Sequence, residues 1–120
     1  MQRDWGLIRL ILRMIEEKPS YGDVVRPDAI TGYDDELVSY HLHILDQAGL
    51  ITAKCKDTRS GIFCVAMNLT WDGHELLDSI KSETVWNQLR NVFREKSIDL
   101  SYAAVKTAAL SIIKQNFLLE

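Results

Sequence analysis

No apolar stretch in this chain approaches the roughly 18 to 20 residues that cross a bilayer. Arg9 and Arg13 interrupt the apolar residues near the N-terminus, so neither a membrane span nor a signal-peptide layout is expected. Low-complexity tracts and internal repeats are missing as well. That leaves an ordinary globular composition, 47% apolar and 26% charged, in 120 residues, enough for a single domain with its own core. Catalytic signatures are equally scarce: there is no glycine-rich phosphate loop, no GxSxG and no HExxH. Serine, histidine and aspartate occur in no pattern that implies a triad, and the expectation is a protein that is not an enzyme. Cysteine is limited to Cys55 and Cys64, with no CxxC pair. Without a secretory signal, these two are expected as free thiols in a cytoplasmic setting. A zinc site drawing on His41, His43 and His74 would need four ligands held tetrahedrally, and no ordered Cys/His spacing supplies them. A Cys55–Cys64 redox disulfide, which requires the intervening turn to centre near Arg59, ranks below free thiols. No metal or cofactor is expected. The chain also lacks a basic excess: 14 Lys and Arg stand against 17 Asp and Glu, a net charge of −3. Any binding of nucleic acid therefore rests on local charge.

What is present is a strong helical periodicity broken by one extended region. Trp5, Ile8, Ile11, Leu12 and Ile15 share one face of a helix over 3–17, with Asp4 as its N-cap and Pro19 beyond its end. Residues 20–33 are irregular, punctuated by Pro27 and Gly32, with room for a short strand at Val24–Val25 or Ala29–Ile30. Asp34 can cap a helix running to Ala48, whose inner face is Val38, Leu42 and Leu45. Gly49 stands where a left-handed residue ends a helix without a Cβ penalty. Extended runs over 50–56 and 62–69 flank the turn-rich pentapeptide Asp57–Gly61 and predict a hairpin. Three helices follow. Thr70 caps one over 72–81 with Leu76, Leu77 and Ile80; another over 84–96 aligns Val85, Trp86, Leu89 and Phe93. Ser101 caps the last, which carries Val105, Ala109, Ile112, Ile113 and Phe117 to about Leu118. Trp5, Trp71 and Trp86 are expected as core anchors. A helix, a glycine stop and an immediate hairpin predict a mainly α fold with a small β-hairpin wing: a winged helix-turn-helix over 1–70 and a helical extension over 71–120, with the first helix of the motif truncated.

The segments RDWGLIRLILRMIEE, ITGYDDELVSYHLHILDQAGLI and LTWDGHELLDSIKSETVWNQL resemble a family of small winged-helix proteins of unknown function from phages, prophages and bacterial chromosomes. The run Leu69-Thr70-Trp71-Asp72-Gly73-His74, followed by Thr84-Val85-Trp86, is the most specific part, and the likeness covers essentially the whole chain. It implies a fold and a mobile-element context but no activity. The LTxxG start of the helix after the wing is also similar to the same junction in MarR-like regulators, a likeness of fold alone.

In a winged helix on DNA, the recognition helix enters the major groove with its other face on the core. With Val38, Leu42 and Leu45 inward, the exposed positions are expected to be Glu36, Ser39, Tyr40, His43 and Gln47. Ser39, Tyr40 and His43 are the candidate groove contacts, and Lys54, Lys56 and Arg59 of the wing the candidate phosphate contacts. Arg3, Arg9, Arg13 or Arg26 add to the positive surface. Opposing this, Asp34 to Ala53 holds Asp34, Asp35, Glu36 and Asp46 and no Lys or Arg. Phosphate neutralisation supplies much of the affinity for DNA, so this helix works against it. The reading is a small phage- or prophage-type DNA-binding protein, such as a transcriptional regulator. The alternative is a non-enzymatic adaptor or inhibitor that binds a protein through the same surface. His41 is expected as a satisfied core histidine and His74 as a locally bonded one. The apolar last helix favours a homodimer over packing within one chain; a dimeric accessory protein with neither activity is the third reading.

Overall fold

In a computed structural model, which describes residues 1–96 and 101–118, the chain is mainly helical with one antiparallel hairpin. It divides into two compact units, 1–74 and 75–120.

The first unit opens with α1, Trp5–Glu17. The Asp4 carboxylate accepts from the Leu7 N–H at 3.1 Å, as its capping position predicts. Trp5, Ile8, Ile11, Leu12 and Ile15 are buried, as the spacing requires, together with Leu7. Arg9 is buried too, which removes it from the candidate positive surface. The irregular segment that follows contains a single bridge, Val25 to Ala66, bonded in both directions at 2.8 and 2.9 Å. A three-residue 3-10 turn, Pro27–Ala29, comes next. A short extended piece and a truncated turn thus occupy the place of a full helix, as Pro27 and Gly32 imply.

Helix α2 spans Asp35–Gln47, and Val38, Leu42 and Leu45 form its buried stripe. Asp34 occupies the N-cap position, yet its carboxylate makes no capping bond. Gly49 ends the helix at φ +76°. Its strand neighbours are β1, Ile51–Thr58, and β2, Gly61–Leu69, joined by Arg59-Ser60. The turn is tighter than the pentapeptide suggests because Asp57 and Thr58 stay paired, and Gly61 takes φ +120°.

The hairpin hands over to α3, Trp71–Ile80, through a dense junction. Thr70 Oγ1 accepts from the Gly73 N–H at 3.1 Å and donates to the Gly49 carbonyl at 2.6 Å. A Cβ on Gly73 would lie 1.9 Å from the Leu50 carbonyl oxygen, so only glycine lets the two backbones approach this closely. Two residues apart on a helix point to nearly opposite sides. With Gly73 against Leu50, Trp71 faces outward and is 79% exposed, so the expectation that it anchors a core is overturned.

The second unit holds the rest of α3, then α4, Glu83–Lys96, and α5, Tyr102–Leu118; α4 packs on α5. Leu76, Leu77, Ile80, Val85, Trp86, Leu89 and Phe93 are buried as their spacing predicts. Ser101 caps α5, its Oγ accepting from the Ala104 N–H at 3.1 Å. Val105, Ala109 and Ile112 are buried, but Phe117 is 77% exposed. Five residues beyond Ile112 it has rotated about 140° off that stripe. Among the described residues, no helix is long and apolar enough to cross a membrane.

Candidate nucleic-acid interface

The candidate residues divide between α2 and the hairpin, and the two are locked together. Ser39 is 1% exposed, and its Oγ accepts from the Cys64 N–H at 3.0 Å. The expectation that Ser39 faces a groove is therefore corrected. Because β2 packs along α2, the buried face of the helix widens beyond Val38, Leu42 and Leu45 to include its neighbour. What α2 does expose is a stripe at i, i+4, i+7 and i+11: Glu36 and Gln47 exposed, Tyr40 and His43 half-buried.

His41, one residue off that stripe, is fully buried and fully used. Its Nε2 accepts from the Asp4 N–H at 2.9 Å, which makes Nδ1 the protonated nitrogen that donates to the Leu37 carbonyl at 2.9 Å. The ring is a structural tie between α1 and α2, the core histidine the sequence suggested.

Side chains alternate across the hairpin. One face carries Lys54 opposite Val65 and Lys56 opposite Phe63; the other carries Ala53 opposite Ala66 and Cys55 opposite Cys64. Ala66 and Cys64 are buried, so the lysine face is the outer one. On it the Phe63 ring is flanked by two cations, the Arg26 guanidinium at 5.6 Å and the Lys56 ammonium at 6.0 Å from its centroid. Arg26 also meets Asp28 at 3.6 Å, in a mostly exposed pair that solvent screens to about 0–1 kcal/mol. A phosphate can displace such a partner at small cost. Arg59 is exposed in the two-residue loop at the tip. The structure thus brings Lys56 and Arg26 to Phe63, keeps Lys54 on the same hairpin face opposite Val65, and leaves Tyr40 and His43 on α2. Phe63 carries no signal in the sequence until the hairpin register sets it opposite Lys56.

Charge is segregated along the sequence of this unit but not fully in space, since the Glu36 carboxylate lies beside Gly61 at the hairpin loop. Ile51–Leu69 holds Lys54, Lys56 and Arg59 against Asp57 alone, while Asp34, Asp35 and Glu36 crowd the start of α2. Those three are exposed. Asp46 is accounted for, since its Oδ1 accepts from the Ala53 N–H at 3.2 Å and so satisfies an edge of β1.

The cysteines are not free. Cys55 and Cys64 form a disulfide, which corrects the expectation of thiols; the turn centres where cross-strand pairing requires. Among the described residues, no group of three or more His, Cys, Asp or Glu is placed to hold a metal ion. A shallow groove of about 320 Å³, lined by none of Arg26, Lys54, Lys56 and Arg59, runs past Ile15, Pro19, Asn68, Leu69 and His74. Lys18 at its rim is already engaged, its Nζ donating to the Ser20 and Tyr21 carbonyls at 2.9 and 2.8 Å.

Comparison with known proteins gives relatives without an activity to transfer. An uncharacterized protein of Haemophilus influenzae is 45% identical over 115 residues, covering 96% of this chain and 98% of its own. No solved structure matches the chain significantly. Residues 2–99 match the model of the family described as Hypothetical protein (DUF2513), and the chain belongs to that family.

Proposed function

We propose that the first unit is a winged helix-turn-helix that binds double-stranded DNA, hairpin first, as a small phage- or prophage-type DNA-binding protein such as a transcriptional regulator. The observation that carries this reading is the convergence of Arg26 and Lys56 on Phe63, on the hairpin face that also holds Lys54. Affinity for a duplex comes largely from cations set against phosphates. In this unit the hairpin concentrates them, whereas the start of α2 repels phosphate. Lys54, Lys56 and Arg59 contact the backbone, and Arg26 trades Asp28 for a phosphate oxygen. Tyr40 and His43 reach base edges only after the hairpin has docked, which makes sequence readout weak. The order of elements supports this reading: α1, the Val25 bridge, the 3-10 turn, α2 and the hairpin come in the sequence that a winged helix with a truncated first motif helix requires. No cofactor and no catalytic step enters.

The test is Lys54→Ala, Lys56→Ala and Arg59→Ala combined, measured by anisotropy of a labelled duplex. Three lost phosphate contacts lower the steepness of the salt dependence by roughly 0.9 for each contact. A triple variant with the affinity and salt slope of the wild type excludes a hairpin-led mode.

A second reading, a protein-binding adaptor on the same scaffold, is favoured by one feature, the exposed trio Asp34, Asp35 and Glu36, of which Asp34 makes no capping bond. It expects Asp34→Lys, Asp35→Lys and Glu36→Lys together to abolish capture of a partner, whereas in the DNA reading the same changes tighten duplex binding.

A further inference from the structure

Cys55 and Cys64 stand directly opposite one another with their Cα atoms 4.1 Å apart, and their bond spans a separation of nine residues. The two sulfur-bearing residues are unlike. Cys55 is exposed, whereas Cys64 is fully buried with its N–H held by Ser39. Cys55 lies between Lys54 and Lys56, and Cys64 between Phe63 and Val65. The bridge therefore sets the register of the very segment that bears the cations. Outward of it only the pairs 56–63, 57–62 and 58–61 remain, all exposed or half-buried. A two-stranded ribbon of that kind is marginal in water. A slip of one residue beyond the bridge would carry Lys56 to the opposite face. Arg26 would not follow, because Val25 beside it is bonded to Ala66.

We propose that the Cys55–Cys64 disulfide is a redox latch on the hairpin, opened in the folded protein by a dithiol reductant through Cys55, and that opening it weakens the grip on DNA. The inference rests on the DNA-binding reading above. A reductant thiolate attacks the Cys55 sulfur, the S–S bond breaks, and Cys64 leaves as a thiolate that takes up a proton. The second thiol of the reductant, as its thiolate, then attacks its own sulfur in the mixed disulfide and releases Cys55, which is protonated in turn. Two electrons and two protons pass to the protein, and the reductant departs as a disulfide. Burial closes the alternative attack on Cys64.

The test compares oxidised wild type with protein reduced by dithiothreitol under native conditions. Thiol labelling read by mass spectrometry follows bond opening, hydrogen exchange follows the hairpin amides, and anisotropy follows a labelled duplex. The expected result is reduction without unfolding, Cys55 labelled ahead of Cys64, and loss of protection over 56–63. The dissociation constant should rise about fivefold or more, the low end of ordinary coupling between sites. The Cys55→Ser, Cys64→Ser variant should match the reduced form in every readout. Resistance to dithiothreitol until the chain unfolds overturns the latch, as does equal hairpin exchange in the two forms. So does a loosened hairpin that binds duplex as tightly as before. If neither form binds a duplex, the DNA reading falls separately and hairpin exchange alone decides the latch.

Discussion

Single residues show where this chain tolerates no substitute. Gly73 touches the Leu50 carbonyl so closely that one added carbon must move backbone. Gly73→Ala should cost about 1–3 kcal/mol or more, the usual penalty for overpacking. Gly22, with nothing within 4 Å of an added Cβ, is the internal control, and Gly22→Ala should be near neutral. Urea denaturation of the two variants separates them; equal midpoints would contradict the tight approach at Gly73. His41 makes a different demand. His41→Phe keeps an aromatic ring in the core but leaves the partly buried Asp4 N–H without its acceptor, a loss of about 1–3 kcal/mol. The stability of that variant should fall accordingly, and an unchanged midpoint would mean that the α1–α2 tie is replaced by water. Ser39 belongs with these residues. The sequence places a hydroxyl on a helix that reads as a recognition helix, but periodicity alone cannot say how wide a buried face the hairpin imposes.

At the level of elements, the helices were legible because their apolar spacing, caps and stops agree. Asp4, Thr70 and Ser101 cap where expected, and Gly49 ends α2 at a positive φ. The hairpin was legible as an element but not as a face. Its register decides that Lys54 and Lys56 share a side with Phe63, that Arg26 arrives there from another segment, and that Cys55 meets Cys64. The Cys55–Cys64 pairing was open to the sequence only as the less favoured alternative to free thiols, and the rest do not follow from local propensity, since each depends on which residues end up opposite. The exposure of Trp71 was hidden for the same reason, being fixed by the contact of Gly73 with Leu50 rather than by any property of tryptophan. Because Thr70 both caps α3 and holds the end of α2, Thr70→Ala should remove about 0.5–2 kcal/mol as a lost cap. It should also raise exchange at the Gly73 amide. A variant that loses stability but keeps that amide protected would assign the effect elsewhere.

At the scale of the whole molecule, two features suggest contacts beyond one chain. The first is α5, whose outer side presents Leu110 and Phe117 at seven-residue spacing, while Ile112 is buried within the chain. If a homodimer forms through this helix, Leu110→Glu with Phe117→Glu should give a folded monomer in light scattering. Ile112→Glu is the wrong probe, because it would disturb the buried stripe of α5 itself. A dimer that survives the double change would place the interface elsewhere. The second feature is the opposed charge of the hairpin and the start of α2 in a chain of net charge −3. On this account local cations, not bulk charge, bring the protein to a duplex. The measurement that tests that most directly is anisotropy of a mixed-sequence labelled duplex, titrated with the oxidised protein from low to near-physiological salt. The account predicts binding at low salt that falls steeply as salt rises, with a slope of roughly −3 to −4 for three or four phosphate contacts. Absence of binding at low salt would contradict it and leave the acidic start of α2 as the surface to pursue with protein partners.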